Sequence, residues 1–296
     1  MAAGSPRLRP PRALVPLRAA LVATLLLALT GVRPASAQVQ VRVLAYNIHH
    51  GEGRDGRLDL ERLAGIIASV QPDLVALQEV DRGTERAGRV DQLAELAARL
   101  GMHATFGKTL DYQGGEYGVA VLSRWPVFGV ENRSLPSSLD HEPRSALTVR
   151  VRVGEGGPVI RFTSTHFDHS REPNDRLDQA TAVDLLLAAD QLEPDILAGD
   201  LNARVDTDVL ALLLRAGWTN TVSAPPPAPV PPAAGPPGSG PPGQGPGRGR
   251  GGGPRGDYVL VRPAARLRVV EARLIDETVA SDHRPVFAVL ELVDGP

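Results

Sequence analysis

Six short stretches of this chain bring the same kinds of side chain to the ends of strand-like runs. Asn47 closes the run VQVRVLAYN, and Glu79 sits inside the otherwise apolar DLVALQEV. His166 and Asp168 follow IRFTST, while Asp200 and Asn202 follow DILAG. Asp257 opens DYVLV, and Asp282 and His283 come directly before RPVFAVL. Any one of these is ordinary turn chemistry, because Asp and Asn hydrogen-bond their own backbone. Six together describe side chains that a rigid scaffold can bring to one cleft. Their types agree as well. Carboxylate and carboxamide oxygens in a chain without Cys suit a hard cation such as Mg²⁺ or Mn²⁺ rather than a structural zinc. A histidine beside carboxylates suits proton transfer near neutral pH. Together these groups can drive water onto a phosphate ester.

The pattern around them is one of mixed strands and helices. Residues 39–47 begin with a period of two, the mark of a half-buried strand. Leu60, Leu63, Ile66, Ile67 and Val70 recur at helical spacing behind Asp59 as N-cap, and a second helix runs from Asp91 to a stop at Gly101. DLVALQEV between them is a continuously apolar strand. Further strands are predicted at 117–123, 145–153, 158–165, 195–199, 257–262, 267–274 and 285–292, with helices at about 175–190 and 207–216. Several strands follow one another with no helix between them. The class is therefore α/β with mixed or paired sheets rather than one parallel sheet.

Residues 1–37 stand apart. Arg7, Arg9, Arg12 and Arg18 precede the apolar AALVATLLLALTGV, and Ala35, Ser36 and Ala37 offer small residues for cleavage before Gln38. That is the layout of a secretory signal peptide, and the apolar run is shorter than the roughly 20 residues that span a bilayer. The expectation is a secreted or periplasmic protein with one domain over 38–296. Removing the five Arg of the leader from 32 basic residues, against 34 acidic ones, leaves a formal net charge of −7. Such a balance speaks against a broad, non-specific grip on nucleic acid. Without Cys, disulfides and thiolate metal sites are excluded. Ala224 to Pro254, with 12 Pro and 10 Gly, has almost nothing to bury and reads as a disordered insertion within the domain.

In this order, YNIHHG, VALQEVD, STHFDH, LAGDLNA, GDYVLV and SDHRPV resemble the motifs of the endonuclease/exonuclease/phosphatase superfamily, the deoxyribonuclease I-like fold. The likeness covers about residues 39–292 and is that of an exported bacterial-type member. It implies a four-layered α/β sandwich, two packed mixed or antiparallel sheets flanked by helices, and a Mg²⁺-dependent phosphoesterase, with Mn²⁺ as the alternative cation. It implies Glu79 as principal metal ligand, helped by Asn47 and Asp282, with Asn47 also among the catalytic groups. Asp200 and Asn202 would position the water and the phosphate. His283 would be the catalytic imidazole, oriented by Asp257, and His166 would stabilise the phosphate in the transition state. Arg144 in EPRSAL, Asp168 and His49 are the expected substrate contacts. Members close to this pattern carry an aromatic-containing segment before the Asp257 motif, and the Pro/Gly insertion takes its place here.

GEGRDG, residues 51–56, has G-x-G-x-x-G spacing, but the helix starts only near Asp59. It reads as a loop at the cleft rim rather than a dinucleotide site. The expected substrate is a phosphodiester or phosphomonoester of nucleic acid or of a lipid or sugar head group. Diester cleavage by a nuclease or phosphodiesterase is the main reading, and a phosphatase or sphingomyelinase-type phospholipid phosphodiesterase is the alternative. An inactive exported binding module would need a missing catalytic residue type, and none is missing. The chain is read as a monomer with no stable protein partner.

Overall fold

Capping residues and apolar periodicity set the first elements. β1 (Val39–Asn47) and β2 (Leu74–Arg82) flank α1 (Leu60–Ser69), whose N-cap Asp59 accepts from the Arg62 backbone N–H at 2.9 Å. α2 (Gln92–Leu100) starts in the same way, with Asp91 accepting from the Ala94 N–H at 3.0 Å, and stops where Gly101 turns left-handed at φ 65°. There follow β3 (His103–Tyr112), β4 (Gly115–Ser123), β5 (Val127–Ser134), β6 (Ser145–Arg152), β7 (Val159–His166) and α3 (Asn174–Ala188). The chain continues through β8 (Asp195–Asp200), α4 (Asp208–Arg215), β9 (Thr219–Asn220), β10 (Asp257–Arg262), β11 (Leu267–Leu274) and β12 (Val286–Leu292). This computed structural model describes residue 1 and residues 39–189, 192–222 and 256–293. The leader expected over 1–37 lies outside these residues except for Met1, and the Pro/Gly segment 224–254 lies outside them entirely.

The strands form two six-stranded sheets, in the orders β11-β12-β1-β2-β4-β3 and β5-β6-β7-β8-β10-β9. Each sheet has one parallel pair, β1–β2 or β7–β8, among antiparallel neighbours. Val43, Ala45 and Ala76 of the first sheet pack with Phe162, Ile196 and Val259 of the second in a shared inner core. On its other face the first sheet packs Leu44 and Leu77 against Leu63, Ile67 and Leu96 of α1 and α2. The second packs Leu197 and Leu260 against Val183, Val209 and Leu213 of α3 and α4. Helix, sheet, sheet and helix layers thus make the four-layered sandwich that the motifs implied. Its central strands are buried on both faces, which is why DLVALQEV shows no alternation. Three strands that the sequence does not mark, β3, β5 and β9, all lie at sheet edges. β5 is exposed over most of its length, so solvent removes the apolar signal that periodicity needs.

The second sheet is pinned at one end by a buried ion network. Register places Arg161 of β7 and Arg262 of β10 on either side of Asp195 of β8. Arg161 grips Asp195 with two hydrogen bonds of 2.7 and 2.9 Å, and Arg262 stands 3.4 Å away while stacking on Trp218. Breaking a buried pair by removing one partner costs about 3–5 kcal/mol, because the other charge is left in a poor solvent. Arg161→Met is therefore expected to lower the thermal unfolding midpoint by roughly 6–20 °C. Calorimetry checks this, and a shift under about 2 °C would mean that Arg262 alone satisfies Asp195.

Candidate active site

The two sheets each deliver half of one constellation. In the second sheet, parallel pairing sets His166 of β7 opposite Asp200 of β8, and antiparallel pairing sets Asp257 of β10 opposite the same Asp200. Three ionisable residues therefore form one row across three neighbouring strands. In the first sheet, β1 ends at Asn47, paired with Gln78 beside Glu79. Glu79 does not continue the strand geometry. The register between β2 and β4 slips between Leu77 and Val80, and Glu79 takes the left-handed conformation at φ 57°. A bulge of this kind re-aims a side chain, and a non-glycine residue in it stores strain. Here it turns Glu79 into the cleft. The sheets are tied beneath the site by Gln78, whose Nε2 donates to Ser164 Oγ at 3.1 Å.

Glycine is required directly before β10, beside Asp200. Gly256 has φ 153°, and a Cβ there would come within 2.4 Å of Asp200 Oδ1.

The hydrogen bonds link the members into one network. Asn47 Nδ2 donates to Glu79 Oε1 at 2.8 Å and to Asp200 Oδ2 at 3.2 Å. Asp200 Oδ1 accepts from the backbone N–H of Asn202 at 2.8 Å, and Asn202 is itself left-handed at φ 47°. His283 Nδ1 bonds Asp257 Oδ2 at 2.7 Å, while its Nε2 stands 3.6 Å from Asp200 Oδ2 and 4.0 Å from Asp282 Oδ1. Ser281 holds that loop in place, donating to the Asn47 carbonyl at 2.8 Å and accepting from the His283 N–H at 3.1 Å.

Burial and neighbouring charge set the proton positions. Burial, followed by the charge of Asp257, raises Asp200 to about 6. Burial alone would lower His283, but Asp257, Asp200 and Asp282 outweigh it and raise the imidazole to about 10. Asp257 is raised too, chiefly by burial, and its Oδ1 is buried without a hydrogen-bond partner. His166 moves the other way. Burial first, and then the Arg144 guanidinium, push it well below the usual range. Arg144 Nη1 lies 3.1 Å from His166 Nδ1 and can only donate, so the neutral ring keeps its proton on Nε2. The acceptor nearest that proton is Asp200 Oδ2 at 3.6 Å, while Asn202 Nδ2 donates to the Phe167 carbonyl at 3.0 Å.

Glu79, His166, Asp200, Asn202, Asp282 and His283 line a cleft of about 620 Å³, together with the expected substrate contacts Arg144 and His49. Asn47 and Asp257 are buried behind these groups. Asp168 is the exception. Its carboxylate is buried and accepts from the N–H and hydroxyl of Ser170, with Arg176 4.0 Å away, so it shapes the loop after β7 instead of facing the cleft. His169 does face the cleft, and its Nδ1 accepts from Arg144 Nη2 at 2.9 Å. The spacing of His166 and His169 at the end of a strand could have flagged it. Arg86, Tyr112 and Tyr117 also line the cleft, and they belong to none of the motifs.

The donor set can hold a divalent cation. Glu79 presents a carboxylate to the cleft with one oxygen held by Asn47, and potential ligand atoms of His49, His50 and Glu79 lie within 4.8 Å of one another. A second such group joins Asp200, Asp257 and His283.

Comparison with known proteins bears on the fold and the family. The uncharacterized protein YbhP of Escherichia coli (strain K12) is 29% identical over 174 residues, 56% of this chain and 68% of that protein. The solved endonuclease/exonuclease/phosphatase from Beutenbergia cavernae superposes with a TM-score of 0.67 at 26% identity, covering 87% of this chain and 72% of that one. The Bacteroides thetaiotaomicron mannosyl-6-phosphatase shares the fold, with a TM-score of 0.59 at 17% identity over 86% of this chain and 100% of its own. The sequence profile of the Endonuclease/Exonuclease/phosphatase family matches residues 44–283, which takes in every motif from Asn47 to His283. The chain belongs to that family, whose members hydrolyse phosphate esters.

Proposed function

We propose that the chain is an exported, Mg²⁺-dependent phosphodiesterase. The observation that carries this reading is His283, held by Asp257 and 3.6 Å from Asp200, in the cleft that Glu79 also lines. Asp257 fixes the orientation of the His283 ring, so that Nε2 is the atom facing Asp200. Asp200 and His283 then act as one acid–base unit, taking a proton from the water whose oxygen bonds to phosphorus and supplying one to the alcohol oxygen whose bond to phosphorus breaks. His166 Nε2–H, the Asn202 amide and Arg144 are the donors for the phosphate oxygens as charge builds on them. Glu79, with Asn47 and Asp282, would hold the cation, which supplies Lewis-acid polarisation of a phosphate oxygen and neutralises charge on the leaving oxygen. The cleft has room for the organic part of a phosphate ester besides the phosphate itself.

The purified protein is expected to hydrolyse methyl p-nitrophenyl phosphate only with Mg²⁺ or Mn²⁺, to stop on addition of EDTA, and to recover when metal is restored. Faster turnover of p-nitrophenyl phosphate would convert the reading to a phosphatase. Export rests on the leader-type composition of residues 1–37. Mass spectrometry of the exported fraction should give Gln38 as the first residue, and an intact Met1 there would refute it.

A further inference from the structure

The cleft extends past the groups that would hold a phosphate. It is also lined by Arg86, Leu110, Tyr112 and Tyr117, which none of the catalytic roles above uses. Arg86 is fixed in place. Its Nε and Nη2 donate to the two carboxylate oxygens of the buried Asp81 at 2.7 and 2.9 Å. Its guanidinium carbon lies 4.6 Å from the ring centroid of Tyr112 and 5.5 Å from that of Tyr117. The backbone N–H of Arg86 donates to Gln113 Oε1 at 2.8 Å, which ties its loop to the β3–β4 turn beside Tyr112. Yet the wall is accessible: the Arg86 side chain is 26% exposed and Tyr112 is 37% exposed. Arg86 and the exposed Tyr112 are already locked together and need no further ordering when a ligand arrives, while the buried Tyr117, tilted 57° from Tyr112, backs them.

Chemistry narrows what fits there. A guanidinium prefers the π face of a ring, and nucleobases stack on tyrosine rings and arginine planes alike. A saturated sugar ring offers no π face to Arg86. A lipid would need an apolar channel, and Leu110 is the one aliphatic side chain among the described residues lining the cleft. A long duplex would need unpaired positive charge, whereas Arg86 is paired with Asp81 and Arg144 with Glu142. We infer that Arg86 and Tyr112, backed by Tyr117, form a nucleobase subsite, and that the substrate is a nucleotide ester, with one base seated beside the scissile phosphate. The inference rests on the phosphodiesterase reading of the adjoining Asp200–His283 site.

Four p-nitrophenyl phosphodiesters that share a scissile bond test it: those of methanol, choline, mannose at O6 and thymidine at O5′. The thymidine ester should give a kcat/KM at least about tenfold above the methyl ester, the range that one base stack supplies. Tyr112→Ala should cut the thymidine ester roughly tenfold more than the methyl ester. Arg86→Lys keeps a cation for Asp81 while losing the plane, and should act in the same direction. Equal rates for all four esters, a preference for the choline or mannose ester, or equal losses on every ester in both variants would overturn the subsite. If the wild-type protein hydrolyses none of the four with Mg²⁺, the phosphodiesterase reading fails. The subsite is then judged by calorimetry alone: thymidine 5′-monophosphate must bind more tightly than methyl phosphate, and less tightly to Tyr112→Ala, or the subsite fails as well.

Discussion

His283→Ala is expected to lose about 10²–10⁴-fold in kcat while still folding, and no concentration of Mg²⁺ or Mn²⁺ should restore it. The size of the loss follows from what the ring touches. Its Nδ1 is bonded to Asp257 at 2.7 Å and its Nε2 faces Asp200 at 3.6 Å, so the substitution removes the middle of a three-residue proton path. It also leaves Asp257 buried without the His283 partner, and a carboxylate so stranded takes up a proton more readily. His283→Gln separates the two consequences. A glutamine amide can still donate to Asp257, but it cannot exchange a proton near neutral pH. It should therefore keep a near-native melting temperature and be as inactive as the alanine variant. Rates measured across a metal titration, with thermal unfolding beside them, decide the matter. If either variant keeps most of its activity, or regains it at high Mg²⁺, His283 is not the acid–base group.

Most of this site is legible in the sequence, for a physical reason. Asp200, Asp257 and His166 are polar residues at the ends of runs that are otherwise buried, and such groups are costly there unless they do something. Their convergence also follows from strand ends, because the register aligns His166, Asp200 and Asp257 on one row. What is not legible depends on contacts distant in the chain. The left-handed Glu79 bulge is defined against β4, and no local residue announces it. The wall of Arg86, Tyr112 and Tyr117 forms only when the loop after β2 closes on the β3–β4 turn. Asp168 shows the opposite failing. It stands in the same motif as His166, yet Ser170 in the following loop and Arg176 in the first turn of α3 capture its carboxylate. A motif places a residue near a site, and its neighbours decide where the side chain points.

Glu79→Gln is expected to fail in a different way from His283→Ala, and the contrast tests the division of labour inside the cleft. Glutamine is nearly isosteric with glutamate and keeps the oxygen that accepts from Asn47 Nδ2 at 2.8 Å, so the bulge and the network around it should persist. What disappears is the negative charge that a hard cation needs from an oxygen ligand. Changing even the hydrogen-bond partners of metal ligands elsewhere costs about 10–100-fold in affinity, so replacing a direct ligand should raise the half-activating Mg²⁺ concentration by at least that much. At saturating metal, part of kcat should return, because Asp200, His283 and Asp257 are untouched. Asp257→Asn supplies the third arm. It alters the partner of His283 Nδ1 without removing a metal ligand, so its curve should follow that of His283→Ala, with a lowered plateau and an unshifted midpoint. Activity against metal concentration for the three variants, with direct calorimetric titration of Mn²⁺ into each, measures midpoint and plateau separately. Should Glu79→Gln show a wild-type midpoint, the cation is held elsewhere, and the Asp200–Asp257–His283 group becomes the place to look.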